Sequence, residues 1–254
     1  MSSAERSPEG HFVSKWLQRE PEMAFAELFT PLALRPRFRA WGGLLHELRE
    51  AAFELSDARV TEAKIGWWAE ELLGLAEGRP RHPLTEALVG ATAPWSALGR
   101  ALLSLPETDR RYADTADALA GLRPLAQVVV EVEAALFEAR SEPAAARALS
   151  VHWLLQRLPR GLEAEDRARI PLHLFARHGF SVPQIGVGEG DALLVDWARE
   201  LRAALPVSLP GSAGYRRSRA RFDAARLERL AAGKGHGEPP ALATLWRAWR
   251  VARN

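Results

Sequence analysis

Two groups of acidic residues in the sequence have the chemistry and the spacing to hold a divalent metal ion. The first group is Glu47, Glu50, Glu54 and Asp57, and the second is Glu163, Glu165 and Asp166. Carboxylate oxygens are the ligands that Mg²⁺ prefers. Side chains three or four residues apart lie on one face of an α-helix, so the first group would present its oxygens together. If the two groups face each other across a cavity, they could form a magnesium site.

The first acidic group has a simpler alternative explanation. Leu44, Leu48 and Leu55 form an apolar stripe on the same stretch of chain. Acidic residues opposite such a stripe usually face water and bind no ligand. We therefore prefer the interpretation that this is a solvated acidic face, and we assign no metal ligand. Four histidines also lack metal-ligand spacing on one helix: His82, His152, His173 and His178.

The elements that carry these residues are predicted to be helical throughout. Apolar residues recur at helical spacing over residues 44–55, 60–76, 85–89, 95–105, 115–119, 125–140, 143–158, 191–205, 218–232 and 241–251. Prolines lie between most of these stretches, and Pro124 is expected to end a helix because proline lacks the amide proton that an interior helix bond requires. The alternation typical of strands is missing. We predict an all-α protein with one domain spanning residues 1–254.

The composition excludes several classes of protein. The chain has 254 residues and no cysteine, so disulfides, thiolate metal sites and cysteine nucleophiles are ruled out. It is 47% hydrophobic and 26% charged, which is typical of a folded protein rather than a disordered one. Residues 1–10 are polar with no apolar stretch behind them, and no span approaches the roughly 20 apolar residues of a membrane helix. We expect a cytoplasmic location.

The C-terminal segment 215–254 is strongly basic. It holds ten lysines and arginines against three acidic residues, so it carries a net charge of +7 while the whole chain carries +2. Such a segment could contact an anionic membrane surface peripherally, nucleic acid or an acidic protein. No nucleic-acid module signature accompanies it, so we do not expect nucleic-acid binding. The alternative that we prefer is a solvated face of a closing helix.

Two segments carry a family resemblance. The first contains Trp67, Trp68, Glu70, Glu71, Gly78, Pro80, His82 and Pro83, and the second contains Arg169, Ile170, Pro171, Ala176, Arg177, His178 and Gly179. In order and separation they resemble the squalene/phytoene synthase family, and the resemblance extends along roughly the whole chain. It implies an isoprenoid-synthase-type helical bundle around a central cavity. Fold alone does not confer function.

The resemblance also implies where metal ligands should lie. In that family Mg²⁺ ions held by two aspartate clusters neutralise the diphosphate that leaves as two prenyl diphosphates are joined. The first cluster should lie near residues 52–56, where no Asp-x-x-x-Asp pattern is present. In the second, Gly161 and Glu165 take the two acidic positions. We therefore expect metal capture to be lost and no cofactor to be needed.

The resemblance marks further candidate residues near this site. Arg160 and Arg169 anchor the second cluster and are candidates for contacting metal or diphosphate. Trp67 and Trp68 are candidates for lining a prenyl pocket, although tryptophans on a buried helix are more often core residues. One stretch, from Glu47 through Lys64 to Trp68, is similar to the degenerate branch formed by the respiratory complex I assembly factors.

Two hypotheses about function follow. The first is a non-catalytic, degenerate member of the family that acts in assembly or interaction, with an unknown protein partner or a prenyl-type lipid as its ligand. The second is an active prenyl transferase that condenses two prenyl diphosphates with Mg²⁺ held by glutamates of the two acidic groups. Only the second requires a cofactor, namely Mg²⁺. The two hypotheses differ in whether the acidic groups are free to bind metal.

Overall fold

The computed structural model describes residues 8–105, 111–156, 170–179, 181, 191–234 and 240–253. Within these ranges the regular structure consists of twelve α-helices and one short 3₁₀ helix over Leu32–Leu34, with no strand. The first six helices are α1 Pro8–Arg19, α2 Glu22–Leu28, α3 Arg35–Phe53, α4 Ala58–Ala76, α5 Pro83–Glu86 and α6 Trp95–Leu103. The remaining six are α7 Thr115–Leu136, α8 Pro143–Leu155, α9 Leu172–His178, α10 Asp191–Ala204, α11 Gly214–Ala231 and α12 Ala241–Ala252. The all-α prediction is confirmed.

Local sequence signals begin several of these helices. The Asp57 carboxylate accepts hydrogen bonds from the backbone N–H groups of Arg59 at 2.8 Å and Val60 at 3.4 Å, and so caps α4. Asp114 caps α7 in the same way, through the Asp117 N–H at 2.8 Å. Pro83 and Pro143 open α5 and α8, where a missing N–H costs nothing. Asp57 thus begins a helix instead of extending the acidic face of α3.

The packing order places α3 at the centre of the site region. It packs against α1, α4 and α5, and further contacts link α4 to α6, α6 to α7, α7 to α8, α8 to α11 and α11 to α10. Glu133 of α7 joins three of these helices. It accepts hydrogen bonds from the Trp41 indole at 3.1 Å and from Arg216 Nε at 3.0 Å. The apolar core that surrounds these contacts draws residues from Val13 to Ala248.

Helix α7 differs from the prediction. Pro124 was expected to end a helix, but it lies inside α7, which continues to Leu136. The proline faces solvent, whereas Leu122 and Leu125 on either side of it are buried. An interior proline costs about 3 kcal/mol, and burial of a continuous apolar face on α7 can offset that cost. Helices α1, α2 and α9 were not predicted at all.

The basic segment also differs from the prediction in part. Arg216 and Arg219 of α11 are each 1% exposed, so the interpretation as a solvated face was wrong for them. Arg221, Arg250 and Arg253 are exposed. None of the helices in the described ranges is both long enough and apolar enough to cross a membrane.

Candidate functional site

The acidic side chains of α3 point into the protein, toward lysines of two neighbouring helices. Glu47 is only 6% exposed. Lys15 of α1 donates to Glu47 Oε1 at 3.0 Å, and its Nζ lies 2.6 Å from Glu50 Oε2. Lys64 of α4 donates to Glu50 Oε1 at 2.9 Å. The interpretation of these residues as a solvated acidic face was therefore wrong, because they are largely buried and paired.

Glu54, one turn further along, is paired with arginines. Arg19 of α1 forms a salt bridge with its carboxylate, and Arg49 Nε donates to Glu54 Oε1 at 3.1 Å. Arg49 itself is 4% exposed and so belongs to the interior. Glu47 and Glu50 of α3, and Glu54 directly after it, thus each already have a lysine or arginine partner. Their negative charges are balanced within the chain.

These pairs hold both partners in their charged forms. Burial alone would raise the pKa of Glu50, but hydrogen bonds from Lys15 and Lys64 outweigh it and lower that pKa to about 2. Burial alone would lower the pKa of Lys15, but Glu50 and Glu47 raise it above its ordinary value of 10.5. A divalent cation that approached Glu47 and Glu50 would therefore have to displace a charged lysine.

Behind these residues lies a buried group that we call the interior ion network, consisting of Glu20, Arg49, His152, Arg219 and Asp223. All five are at most 5% exposed. Arg49 Nη1 and Arg219 Nη1 donate to the two oxygens of Glu20, at 2.7 and 3.1 Å respectively. Asp223 accepts from Arg219 Nε at 3.1 Å and lies 3.0 Å from His152 Nδ1. The network links α3, α8 and α11 to the turn after α1.

The network stabilises its own charges without a metal ion. Burial opposes the charged form of Glu20, yet His152, Arg219 and Arg49 hold its pKa well below the ordinary value of 4.5. Burial likewise opposes the charged form of Asp223, and Arg219 with His152 lowers its pKa. Against the effect of burial, Asp223, Glu22 and Glu20 raise the pKa of Arg219. A buried charge is tolerated when it is paired in this way.

One set of donor atoms on α3 is close enough to bind a single ion. His46, Glu47 and Glu50 each offer one donor atom, and these three atoms lie within 4.8 Å of one another. However, His46 Nδ1 is 3.0 Å from Arg49 Nη2, and burial together with the Arg49 charge lowers the pKa of His46 to about 4. Mg²⁺ prefers six oxygen ligands. An imidazole with two lysine-paired carboxylates does not fit a magnesium cluster.

The residues that shape this site were largely missed by sequence reasoning. Lys15, His46, Arg49 and Lys64 were not among the candidates, although all contact the predicted glutamates or lie beside them. The spacing of His46, Arg49 and Glu50 on one helix was a signal that could have shown mixed charge on the expected metal face. The contribution of Lys15 comes from another helix and has no local signal.

The first resembling segment has a structural role in the turn between α4 and α5. Glu71 is fully buried and accepts hydrogen bonds from the backbone N–H groups of Arg81 at 2.7 Å and His82 at 2.9 Å. The Thr85 hydroxyl donates to the same carboxylate at 2.5 Å. Glu71 therefore fixes the path of the chain from α4 into α5. The match in this segment reflects the fold.

The two candidate pocket tryptophans have different surroundings. Trp68 is 3% exposed and packs on the His82 ring, with ring centroids 4.9 Å apart. Trp67 is 39% exposed, and the Arg81 guanidinium lies 5.8 Å from its ring centroid. The Phe12 ring of α1 also packs on His82, with ring centroids 4.4 Å apart. Trp68 is thus part of the core, and Trp67 lies at its edge.

A small cavity lies beside the candidate site, within the part of the chain that the structure describes. It measures about 10 Å³ and lies between α3, α6, α7 and α8. Its lining residues are Leu45, Leu48, Arg49, Phe53, Leu98, Leu102, Leu125, Val129 and Trp153. A larger, open cavity of about 440 Å³ lies on the surface between the end of α4 and the start of α6. None of the predicted site residues lines the larger cavity.

The second acidic group lies outside the described residues, as do Arg160 and Arg169. These positions comprise Arg160, Glu163, Glu165, Asp166 and Arg169. The described part of the second resembling segment is α9, which is held against α10 by two histidine contacts. His173 Nε2 lies 2.9 Å from Glu200, and His178 Nε2 lies 3.0 Å from Asp196. In its described part, this segment also serves to connect helices.

Comparison with known proteins finds similarity at the level of the fold. No protein-family model matches the sequence, and no curated protein matches it. Among solved structures, a dehydrosqualene synthase in complex with ligand superposes with a TM-score of 0.64 at 14% identity, covering 97% of this chain and 94% of that one. Squalene synthase HpnC from Alicyclobacillus acidocaldarius superposes with a TM-score of 0.52 at 18% identity, covering 96% and 92%. The predicted isoprenoid-synthase-type bundle is confirmed.

Proposed function

We propose that this chain is a non-catalytic, degenerate member of the squalene/phytoene synthase family that acts by interacting with a partner. The observation that carries the proposal is the pairing of Glu47, Glu50 and Glu54 with lysines and arginines of the same chain. The fold shared with squalene and dehydrosqualene synthases supports descent from that family. The pairing of these glutamates supports the loss of prenyl transfer.

The chemistry of prenyl transfer explains why this pairing matters. Joining two prenyl diphosphates requires the departing diphosphate to be neutralised, and carboxylates do this indirectly by holding Mg²⁺. Those carboxylates must therefore carry uncompensated negative charge. In this chain Lys15, Lys64 and Arg49 supply the compensating charge instead. A metal ion would gain little from a site that is already neutral.

The cavity beside Arg49 bears on one alternative ligand, a prenyl-type lipid bound at that position. Pockets for molecules of drug or cofactor size enclose about 300–1,000 Å³. The cavity beside Arg49 measures about 10 Å³, which is roughly the room of one water molecule. Phe53 and Trp153 help to fill this space, with ring centroids 5.4 Å apart. This disfavours prenyl-lipid binding at that position.

A turnover assay distinguishes this proposal from the active prenyl transferase. The full chain would be incubated with farnesyl or geranylgeranyl diphosphate, Mg²⁺ and NADPH, and both diphosphate release and lipid products would be followed, with an active squalene synthase run in parallel. We expect no release above the protein-free blank. Turnover that Glu50→Gln abolishes, and that Glu62→Gln on the exposed side of α4 leaves intact, would overturn the proposal.

The interaction part of the proposal requires its own experiment. The tagged chain would be cross-linked in native extract, and stoichiometric recovery of one defined protein is expected. A partner drawn from respiratory complex I would support the similarity to the assembly factors, which stays a prediction. Recovery of no partner, in a preparation that also lacks turnover, would contradict an interaction role while leaving the loss of catalysis standing.

A further inference from the structure

The last helix, α12, presents its largest apolar side chains to the outside. Leu242, Trp246 and Trp249 are 81%, 54% and 40% exposed. Their spacing of four and three residues places them on one face of the helix. The opposite face packs against α11 and α2 and buries Thr244 and Ala248, which are 4% and 2% exposed. The exposed face of α12 therefore carries larger apolar side chains than its buried face.

This orientation is the reverse of the one expected for a helix that only closes a core. Burial of an apolar side chain stabilises a fold, so a helix normally turns its largest apolar residues inward. Thr244 and Ala248 are small and allow α12 to lie close to the helices beneath it. A continuous exposed apolar face indicates a second contact that covers it.

The charges around this face indicate what that contact is. α12 contains two arginines and no acidic residue, and Arg253 directly follows its last residue. The Arg250 guanidinium lies 4.8 Å from the centroid of the Trp246 ring, and that of Arg253 lies 4.8 Å from the centroid of the Trp249 ring. Each exposed indole thus has a cation against its face. Nearby on α11, Asp223 is buried and Glu228 is paired with Arg202 at 2.9 Å.

We infer that α12 docks this protein on the surface of an anionic phospholipid bilayer. Tryptophan favours the boundary between headgroups and acyl chains, and arginine can bind lipid phosphates while its carbon stem stays in apolar surroundings. Leu242, Trp246 and Trp249 enter the headgroup layer, and Arg250 and Arg253 pair with phosphates. With 12 residues, α12 is about 18 Å long, which suits a helix that lies flat.

This assignment narrows the membrane contact expected from the basic segment 215–254. Arg216 and Arg219 are committed to buried ion pairs, so α12 supplies the contact, through exposed side chains. The inference does not depend on the proposed loss of catalysis, because α3 and α12 lie in different parts of the fold. A chain with turnover could dock in the same way, and a chain without turnover could fail to dock.

Flotation with lipid vesicles tests the inference. The full chain would be mixed with vesicles of phosphatidylcholine alone or with about one-third phosphatidylglycerol, which provides an anionic surface. We expect binding to the anionic vesicles only, weakening as salt is added. Trp246→Ser with Trp249→Ser should reduce binding at least about tenfold. Arg250→Gln with Arg253→Gln should reduce it about 20- to 30-fold.

Two matched controls and a solution measurement complete the test. Leu103→Ser and Arg123→Gln alter an exposed leucine and an exposed arginine on other helices and should leave binding unchanged. All variants should melt within a few degrees of wild type, because the altered side chains are exposed. Absence of vesicle binding by wild type would overturn the inference. Binding of both double variants that equals the binding of wild type would also overturn it. Dimerisation in analytical ultracentrifugation that only the tryptophan double variant loses would overturn it in favour of a second copy of this chain.

Discussion

The interior ion network and the outer face of α12 use charge in opposite ways. In the network, Glu20, Arg49 and Arg219 are buried and each has a partner of opposite charge. On α12, arginines stand beside exposed indoles, and no acidic residue of that helix balances them. Groups that are already paired have little capacity to bind a ligand, whereas exposed unbalanced groups retain it. The comparison indicates that the buried charges serve the fold, whereas the exposed arginines beside α12 retain the capacity to bind a partner.

The network is the region where a single substitution should have the largest effect. Arg219→Met removes the guanidinium that Glu20, Glu22 and Asp223 share, and leaves buried carboxylates without their main cation. Removing one partner of a buried pair costs about 3–5 kcal/mol. We expect the free energy of unfolding in urea to fall by that amount. Arg221→Met, two residues away on the exposed side of α11, is the control and should change it by less than about 0.5 kcal/mol.

Arg219 also illustrates what could be predicted from the sequence. Helical spacing and proline positions gave the fold class and most helix bounds, because those signals are local. The burial of Arg219 depends on Glu20, which lies 199 residues earlier in the chain, and Arg221 has the same side chain in an exposed position. Residue type alone cannot separate the two. The lysine partners of α3 were missed for the same reason, since Lys15 and Glu47 are 32 residues apart.

The path of α7 through Pro124 shows the opposite error. There a local rule was applied correctly, but packing outweighed it, because the proline faces solvent while Leu122 and Leu125 are buried. The glutamates of α3 were expected to face water, and the structure instead places them against cations of neighbouring helices. The glutamates of α3 do point inward, yet their cations come from α1 and α4.

The density of the interior can be tested next, at Gly42 of α3. A Cβ atom at this position would lie 2.3 to 2.5 Å from three ring carbons of Trp16, a side chain that is 1% exposed. Overpacking of this kind costs about 1–3 kcal/mol. We expect Gly42→Ala to lower the unfolding free energy by that amount in a thermal or urea melt. An unchanged melt would mean that the interior can accommodate an additional methyl group at this position. That result would contradict the tight packing of Gly42 against Trp16.

Gly66 of α4 provides a matched control for that substitution. It is also a helical glycine, but a Cβ atom there would meet nothing within 4 Å. Gly66→Ala should stabilise the protein by about 0.5–1 kcal/mol, because alanine loses less backbone freedom on folding than glycine does. Opposite signs for the two alanine substitutions would localise the tight packing to the centre of the bundle.

Acid should weaken the network while leaving the charges of α12 unchanged. The pKa of Asp223 is lowered by Arg219 and His152, so its contribution to stability is present above the unfolded value of 3.8 and is lost as the pH falls below it. Glu20, which faces His152, Arg219 and Arg49, behaves in the same way below 4.5. The stability difference between wild type and Asp223→Asn should therefore shrink between about pH 5 and about pH 3 in urea titrations. A difference that stays constant would contradict this account.

The last prediction involves the smallest expected change in stability. It tests directly whether pairing with lysines keeps the buried carboxylates from binding a metal ion. Lys15→Met with Lys64→Met leaves Glu47 and Glu50 without their lysine partners, which makes the inner charges unbalanced like those of α12. Partly exposed pairs contribute about 0–1 kcal/mol each, so the fold should persist. Because donor atoms of His46, Glu47 and Glu50 lie within 4.8 Å of one another, we expect the double variant to bind Mn²⁺ with a Kd of about 10⁻³ M in calorimetry, and wild type to bind none at that level. Lys234→Met alters the third lysine of the sequence and should match wild type. Equal Mn²⁺ binding by wild type would mean that the paired carboxylates still accept a metal ion. That result would contradict the conclusion that pairing removes their capacity to bind a ligand.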